Sequence, residues 1–164
     1  MSWHGPATDE RGVRIELGGL DDLDDVMEVM DESFDPAFGE AWTAPQCAGL
    51  LPMPGVWLVV ARDEERPLGF ALGRAVAREA ELLLLAVRRT GQRRGIGRLL
   101  LQSFAEEAAL RGADRLHLEV REGNHAVNLY AAGGYTEVGR RRNYYSGSDG
   151  QVYDALTLAR SASR

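Results

Sequence analysis

The sequence predicts an α+β fold: a single mixed, mostly antiparallel twisted sheet of about six to seven strands flanked by helices. Three observations carry this. Short alternating or apolar runs bounded by charge or turn residues recur along the chain, as strands do. Two longer segments, starting near Leu23 and Ile96, place apolar residues at helical spacing instead. The resulting order, β-α-(α)-β-β-β-α-β-α-β-β, mixes neighbouring strands with strand–helix–strand units.

Val13 to Leu17 alternates as a short strand. Leu23, Val26, Met27, Met30 and Phe34 then mark one face of a helix begun by Asp21, Asp22, Asp24 and Asp25. That acidic run resembles a metal site at first sight, but carboxylates at a helix start cap free N–H groups and oppose the dipole. Asp35 to Pro54 is a loop-rich insert holding Phe38, Trp42 and a short helix capped by Thr43. Val56 to Arg62 and Leu68 to Val76 read as strands joined by a hairpin loop from Asp63 to Pro67. Glu81 to Val87 is a buried-strand pattern; an Arg/Gly turn follows, and then a helix marked by Ile96, Leu99, Leu100, Phe104 and Ala108 and closed by Gly112. In the next strand, Asp114 to Arg121, Leu116, Leu118 and Val120 face one way while His117, Glu119 and Arg121 face the other. Asn124 caps a short helix through Ala126, Leu129 and Tyr130, stopped by Gly133-Gly134. Tyr135 to Gly139 and Val152 to Leu158 are the last strands, with Arg140 to Gly150 a polar segment between them.

With 164 residues, 45% of them hydrophobic and 27% charged, the chain is one domain's worth and long enough to bury a substantial core. Residues 13–160 form that domain; Met1 to Gly12 reads as a disordered leader and Ser161 to Arg164 as a tail. The net charge is −6, and all 19 basic residues are arginine, so the whole lacks the broad basic surface that nucleic-acid binding needs. Cys47 is the only cysteine, which leaves no disulfide framework and no cysteine-based metal site. His4, His117 and His125 are too scattered for a metal cluster, so no metal is expected. No apolar run approaches the roughly 20 residues of a membrane span, and the first residues lack a signal peptide's apolar core. The cytoplasm is the default location.

The chemistry concentrates at Gln92-Arg93-Arg94-Gly95-Ile96-Gly97-Arg98. A strand, a glycine-bearing arginine-rich turn and a helix N-terminus together suit a phosphate group. The first N–H groups of the helix are unpaired, the dipole is positive there, and glycine lets backbone approach a ligand. Arg88, Arg89, Arg93, Arg94 and Arg98 crowd the same turn. A P-loop needs a lysine that this chain lacks, and a dinucleotide fingerprint needs a third glycine early in a βαβ unit.

The order Val-x-x-x-x-Gln-x-x-Gly-x-Gly-x-Leu-Leu, running from Val87 to Leu100, resembles the acetyl-coenzyme A signature of the GCN5-related N-acetyltransferase superfamily. Further text is similar to the bacterial ribosomal-protein alanine N-acetyltransferases: Leu118-Glu119-Val120-Arg121, Asn124, Leu129-Tyr130, and Arg141-Arg142-Asn143-Tyr144-Tyr145. Asp149-Gly150 and Asp154-Ala155 continue it, so the likeness covers roughly residues 80 to 157. The N-terminal third matches only around Ala41-Trp42-Thr43.

The resemblance implies an acyl-CoA N-acyltransferase fold with central strands splayed around acetyl-CoA. Main-chain groups of Leu85, Ala86 and Val87 would pair with the pantetheine arm, and Gln92, Arg93, Arg94, Gly95, Ile96, Gly97 and Arg98 would wrap the pyrophosphate. Asn124 would bond the pantetheine, Glu119 would take the amine proton, Tyr130 would protonate the leaving thiolate, and Trp42, Tyr144 and Tyr145 would line the acceptor. The implied acceptor is the α-amine of a protein or peptide, such as the N-terminal alanine of a ribosomal protein, and the enzyme a monomer or homodimer. A small-molecule amine, a lysine side chain, or acyl-CoA sensing without turnover remain alternatives.

These roles suit the residue types. Amine attack on a thioester needs a neutral amine, a polarised carbonyl and a protonated leaving group. Deprotonation at pH 7 costs on the order of 1 kcal/mol for an α-amine but nearer ~5 for a lysine, so a single carboxylate suffices for the former. The Val87 N–H is a candidate donor to the thioester oxygen.

Three positions depart from the family pattern. Asn124 and Tyr130 are six apart where seven is usual, which makes Asn128 an alternative coenzyme contact. Gly133-Gly134-Tyr135 replaces Leu-Gly-Phe. Near Gln151-Val152-Tyr153-Asp154 a Glu-Asp pair is reduced to Asp154.

Overall fold

The computed structural model describes residues 7–8, 12–64, 66–92 and 95–162. Among them run eight strands: β1 (Ala7–Thr8), β2 (Val13–Gly18), β3 (Val56–Asp63), β4 (Arg66–Val76), β5 (Glu79–Val87), β6 (Arg115–Arg121), β7 (Thr136–Ser146) and β8 (Val152–Ser161). They form one sheet in the order β1-β2-β3-β4-β5-β6-β8-β7. Every pair is antiparallel except β5 and β6, which a helical crossover makes parallel. Four α-helices accompany the sheet: α1 (Leu23–Ser33), α2 (Ala44–Leu50), α3 (Ile96–Leu110) and α4 (Ala126–Ala132).

Seven strands and the four helices occur in the expected order, but the hairpin loop expected over Asp63 to Pro67 is tighter, because Asp63 pairs with Arg66 and Arg62 with Pro67; β1 is the addition. It pairs Ala7 with Ile15 and Thr8 with Arg14, within a stretch expected to be an unstructured leader. The rest of that leader, Gly12 apart, lies outside the described residues. At the other end Ser161, expected to open the tail, belongs to β8, and the Ala162 N–H donates to the Asp114 carbonyl; residues 163–164 lie outside the described residues.

The polar segment expected between the last two strands needs a larger correction, since Arg140 to Ser146 continues β7. Main-chain pairing to β8 holds it, with Arg140 opposite Leu156, Arg141 opposite Ala155 and Tyr145 opposite Tyr153. β7 is an edge strand exposed along most of its length, so no apolar periodicity marks it. The register slips between Arg141 and Tyr145, where Asn143 takes a left-handed φ of 54°.

Two apolar clusters sandwich the sheet. Val26, Val29 and Met30 of α1 and Cys47 of α2 pack with Leu58, Val60, Phe70 and Leu72. On the opposite face, Ile96, Leu100, Leu101 and Phe104 of α3 pack with Val59, Ala71, Leu82, Leu116 and Leu118. A bulge at β5 connects the two: Leu72 faces Leu84 and Gly73 faces Leu82, leaving Leu83 as the extra residue. The side-chain alternation therefore changes phase within β5, so that Ala80 and Leu82 serve the α3 face and Leu84 and Ala86 the α1 face. Burial pushes the Cys47 thiol up, in keeping with a packing residue.

The acidic run at the start of α1 departs from the expected capping: Asp22 accepts from the Gly19 N–H ahead of the 3-10 turn Leu20–Asp22, and no side chain among the described residues caps α1 itself. Asp22 and Asp25, with Glu16, also surround the buried Arg62 guanidinium at 2.7 to 2.9 Å.

Candidate active site

The sheet opens at its centre. β5 and β6 pair only from Glu79–Leu82 to Arg115–Leu118, after which no pairing joins them. Beyond that point Leu84 to Val87 stay bound to β4, while Glu119 to Arg121 stay bound to β8. The gap between the strands carries main chain on one side and ionisable side chains on the other.

On the β5 side, the Arg88 N–H donates back to the Leu68 carbonyl of β4 at 2.8 Å. Main-chain groups alternate sides along a strand, so Ala86 likewise faces its partner Phe70, and Leu85 and Val87 turn their N–H and C=O toward the gap. The expectation that all three would present main chain to a ligand is thus corrected for Ala86. Gln92 closes the following turn by donating from Nε2 to the Val87 carbonyl at 3.3 Å.

Gly95 precedes α3 with φ 77°, a left-handed conformation that glycine adopts without strain. Ile96 is buried in the core beneath the helix start, and Gly97 lies in the first turn, where an added Cβ would stand 3.2 Å from Leu129 of α4. Arg98 is exposed there and lines a cleft of about 600 Å³ between α3 and α4, with Leu101, Gln102, Leu129, Gly133 and Arg160. Arg93 and Arg94 lie outside the described residues.

Arg88 does not join this cationic corner. Its side chain is 2% exposed and points toward α1, donating to the Pro67 carbonyl at 2.7 Å and pairing with Glu28 and Glu32 at 3.1 Å. The adjacency of five arginines in sequence hid this difference in direction.

On the β6 side, Glu119 is 19% exposed and its Oε1 forms an ion pair with Arg141 Nε of β7 at 2.6 Å. Tyr130 of α4 is buried and its ring meets Tyr135 edge-on at 6.1 Å. Burial pushes the Tyr130 phenol well above its ordinary value, and Tyr135, Tyr145 and Glu40 push it the same way. Tyr145 is raised too, first by burial and then by the Glu40 and Glu119 carboxylates, with Arg121 opposing. Glu119, Tyr130, Tyr145 and Glu40 thus share one electrostatic neighbourhood. Tyr144 is half exposed, stands at 90° to Tyr145 with ring centroids 5.0 Å apart, and lies beneath the Arg141 guanidinium.

Asp154, the residue left where the family has two acids, shapes this edge. Its Oδ1 accepts from the Asn143 N–H at 2.9 Å and its Oδ2 from Arg140 at 2.9 Å, fixing the slip in β7. The Asn143 N–H and then Arg140 hold the Asp154 carboxyl below its usual range. Trp42 packs into the α1-side cluster and walls a separate apolar groove with Gln46, Leu50 and Met53.

The segment from Pro36 to Trp42 lies against the turn between β7 and β8. The Ser148 N–H donates to the Pro36 carbonyl, and any side chain at Gly39 would run into the Ser146 carbonyl. From this loop Glu40 reaches Arg121 at 2.9 Å and Asn124 at 2.7 Å. Asn124 Oδ1 meanwhile accepts from the Ala126 N–H at 2.8 Å, from one residue ahead of His125, which holds the N-cap position expected of Asn124. Both ends of the Asn124 side chain therefore have partners within the protein. Glu40 sits in an aperiodic loop and carries no sequence signal; Arg121 had only its alternation with Glu119, and Arg141 only its place in the Arg-Arg-Asn-Tyr-Tyr text.

A family model described as the Acetyltransferase (GNAT) family matches residues 23–135. A [ribosomal protein bS18]-alanine N-acetyltransferase of Salmonella typhimurium is 41% identical over 97 residues, 58% of this chain and 65% of that protein. The match therefore spans just under two thirds of that relative's length. The crystal structure of the ribosomal-protein-S18-alanine N-acetyltransferase from Escherichia coli superposes with a TM-score of 0.82 at 31% identity, covering 93% of this chain and 95% of the other. Ard1 from Thermoplasma volcanium gives 0.79 at 25% identity, covering 92% and 97%.

Proposed function

Because the chain belongs to the GNAT acetyltransferase family, we propose that it moves acetyl from acetyl-CoA to the N-terminal α-amine of a protein, the N-terminal alanine of a ribosomal protein being the acceptor of choice. The observation that carries this is the parting of β5 and β6 beyond Leu82 and Leu118, with gap-facing main chain opposite Glu119. The similarity to two bacterial enzymes named for ribosomal-protein alanine acetylation supports the choice of acceptor.

The residues present fit acetyl-CoA. Leu85 offers an N–H and a C=O to the amide groups of the pantetheine arm, as a neighbouring strand would, while the Val87 C=O is held by Gln92 and its N–H is left for the thioester. The start of α3, with Gly95, Gly97 and Arg98, suits the pyrophosphate, and Arg93 and Arg94 are proposed to join it. Asn124 serves by fixing the start of α4, which leaves Asn128 as the side chain on that helix to meet the coenzyme.

In the reaction, the neutral α-amine attacks the thioester carbonyl and forms the new C–N bond. The Val87 N–H stabilises the oxygen where negative charge develops. Glu119 takes the amine proton on the oxygen not held by Arg141. The C–S bond breaks as Tyr130 gives its proton to the departing thiolate. A phenol raised above its ordinary value stays protonated at neutral and mildly alkaline pH, as a general acid must. Tyr144 and Tyr145 line the acceptor path on the exposed edge of β7.

Mass spectrometry after incubation with acetyl-CoA and a peptide panel tests the reading. Alanine-first ribosomal-protein peptides gain one acetyl group, and the same peptides with a blocked α-amine gain none. Acetylation that survives the block redirects the assignment to a side chain.

A further inference from the structure

One carboxylate ties four parts of the acceptor side together. Glu40 Oε1 accepts from Arg121 Nε and Oε2 from Asn124 Nδ2, with the Glu40 and Arg121 side chains each only 10% exposed. Arg121 ends β6, two residues beyond Glu119. Its guanidinium lies 3.8 Å over the Phe38 ring of the Pro36–Trp42 loop and 5.7 Å from that of Tyr153 in β8. Phe38 and Tyr153 meet edge-on at 5.4 Å. Asn124, in turn, receives the N–H of the first residue of α4.

Helix α4 needs this support. It has seven residues and no acidic side chain in its first turn. A helix of fewer than about 12 residues is marginal alone, and a capping side chain contributes about 1 kcal/mol to it. The Asn124 side chain that accepts from its first N–H is itself held by Glu40 from the Pro36–Trp42 loop. The start of the helix that carries Tyr130 therefore depends on the loop being seated, and the loop on the helix.

We propose that Glu40 is a positioning residue that couples seating of the Pro36–Trp42 loop to the placement of Tyr130, so that the acceptor wall and the proton donor assemble as one unit. This rests on the reading of Tyr130 as general acid. Glu40→Gln is the informative substitution. Glutamine offers one accepting oxygen and one donating NH2 to two donors, so one of the two bonds is lost with almost no change in shape. Adding Asn124→Asp reverses the polarity of that bond. The carboxylate so introduced accepts from both the new glutamine amide and the Ala126 N–H. The glutamine oxygen still accepts from Arg121, and the net charge is conserved.

The test compares wild type, Glu40→Gln and the double variant Glu40→Gln with Asn124→Asp. The readouts are peptide-acceptor kinetics, acetyl-CoA calorimetry and hydrogen exchange of the full chain with acetyl-CoA bound. Glu40→Gln is expected to lower kcat about tenfold and raise the acceptor KM severalfold, with acetyl-CoA Kd within twofold. Amide exchange in 36–42 and in 126–132 should quicken together. The double variant should recover kcat to within threefold and restore slow exchange in both segments. Unchanged exchange in either segment of Glu40→Gln, or a double variant as impaired as the single, overturns the proposal. Should the wild type bind acetyl-CoA yet acetylate no peptide, the functional reading fails and the exchange data alone decide the coupling.

Discussion

The two sides of the central gap are built by different means. The β5 side is contiguous in sequence: strand, turn and helix follow one another from Glu79 to Leu110, and what faces the gap is main chain. The β6 side is assembled from a loop, two further strands and a helix, and its key contact joins residues 84 apart in the chain. A backbone site tolerates many side-chain changes but depends on strand geometry. A site made of converging carboxylates, phenols and guanidinium groups is sensitive to single atoms.

Substitutions on the two sides should therefore separate chemistry from binding. The largest effect is expected from Glu119→Gln, which should cut kcat by roughly 10² to 10⁴, the range for removing a general base. Tyr130→Phe should cost about 10², and steady-state kinetics should find acetyl-CoA affinity within twofold in both. A loss of coenzyme affinity equal to the loss of rate would erase the distinction between the sides. Across the gap, Gly95→Val places a β-branched residue at φ 77°, a strain of at least about 1–2 kcal/mol, and calorimetry should show acetyl-CoA bound about tenfold more weakly.

Arg88 sharpens the same contrast. If its job is to hold α1 to Pro67 and β5, Arg88→Met should lower stability by about 2 kcal/mol through the unsatisfied carbonyl and lost pairs, leaving coenzyme affinity within twofold. A large drop in affinity without a fall in Tm would return Arg88 to the phosphate corner. The smallest effect concerns Tyr135, buried beside Tyr130 with a hydroxyl that finds no partner among the described residues. Tyr135→Phe should raise stability by about 1 kcal/mol in a denaturant titration.

Legibility in the sequence followed the same division. The α1 and α3 helices, the central strands and the glycine at the start of α3 were readable because apolar period and glycine placement are local signals. The continuation of β7 was not, since an edge strand held by main-chain pairing needs no apolar alternation at Arg140 to Ser146. The direction of Arg88 was not readable either: Arg89 and Arg98 of the same turn are exposed, while the partners of Arg88, Glu28 and Glu32, lie far earlier in the chain on α1. Glu40 was invisible because its meaning comes entirely from Arg121 and Asn124. Gly133, in place of the family's leucine, makes sense only in three dimensions, where an added Cβ would press within 3.0 Å of Leu101.

In the proposed reaction a thioester lies in the gap between β5 and β6, polarised from one side and attacked from the other. A crystal structure of the protein with acetyl-CoA tests it most directly. The thioester oxygen should stand about 3 Å from the Val87 N–H, with the sulfur turned toward Tyr130. An acetyl group resting outside the gap, or strands β5 and β6 paired onward past Leu82 and Leu118, would contradict it.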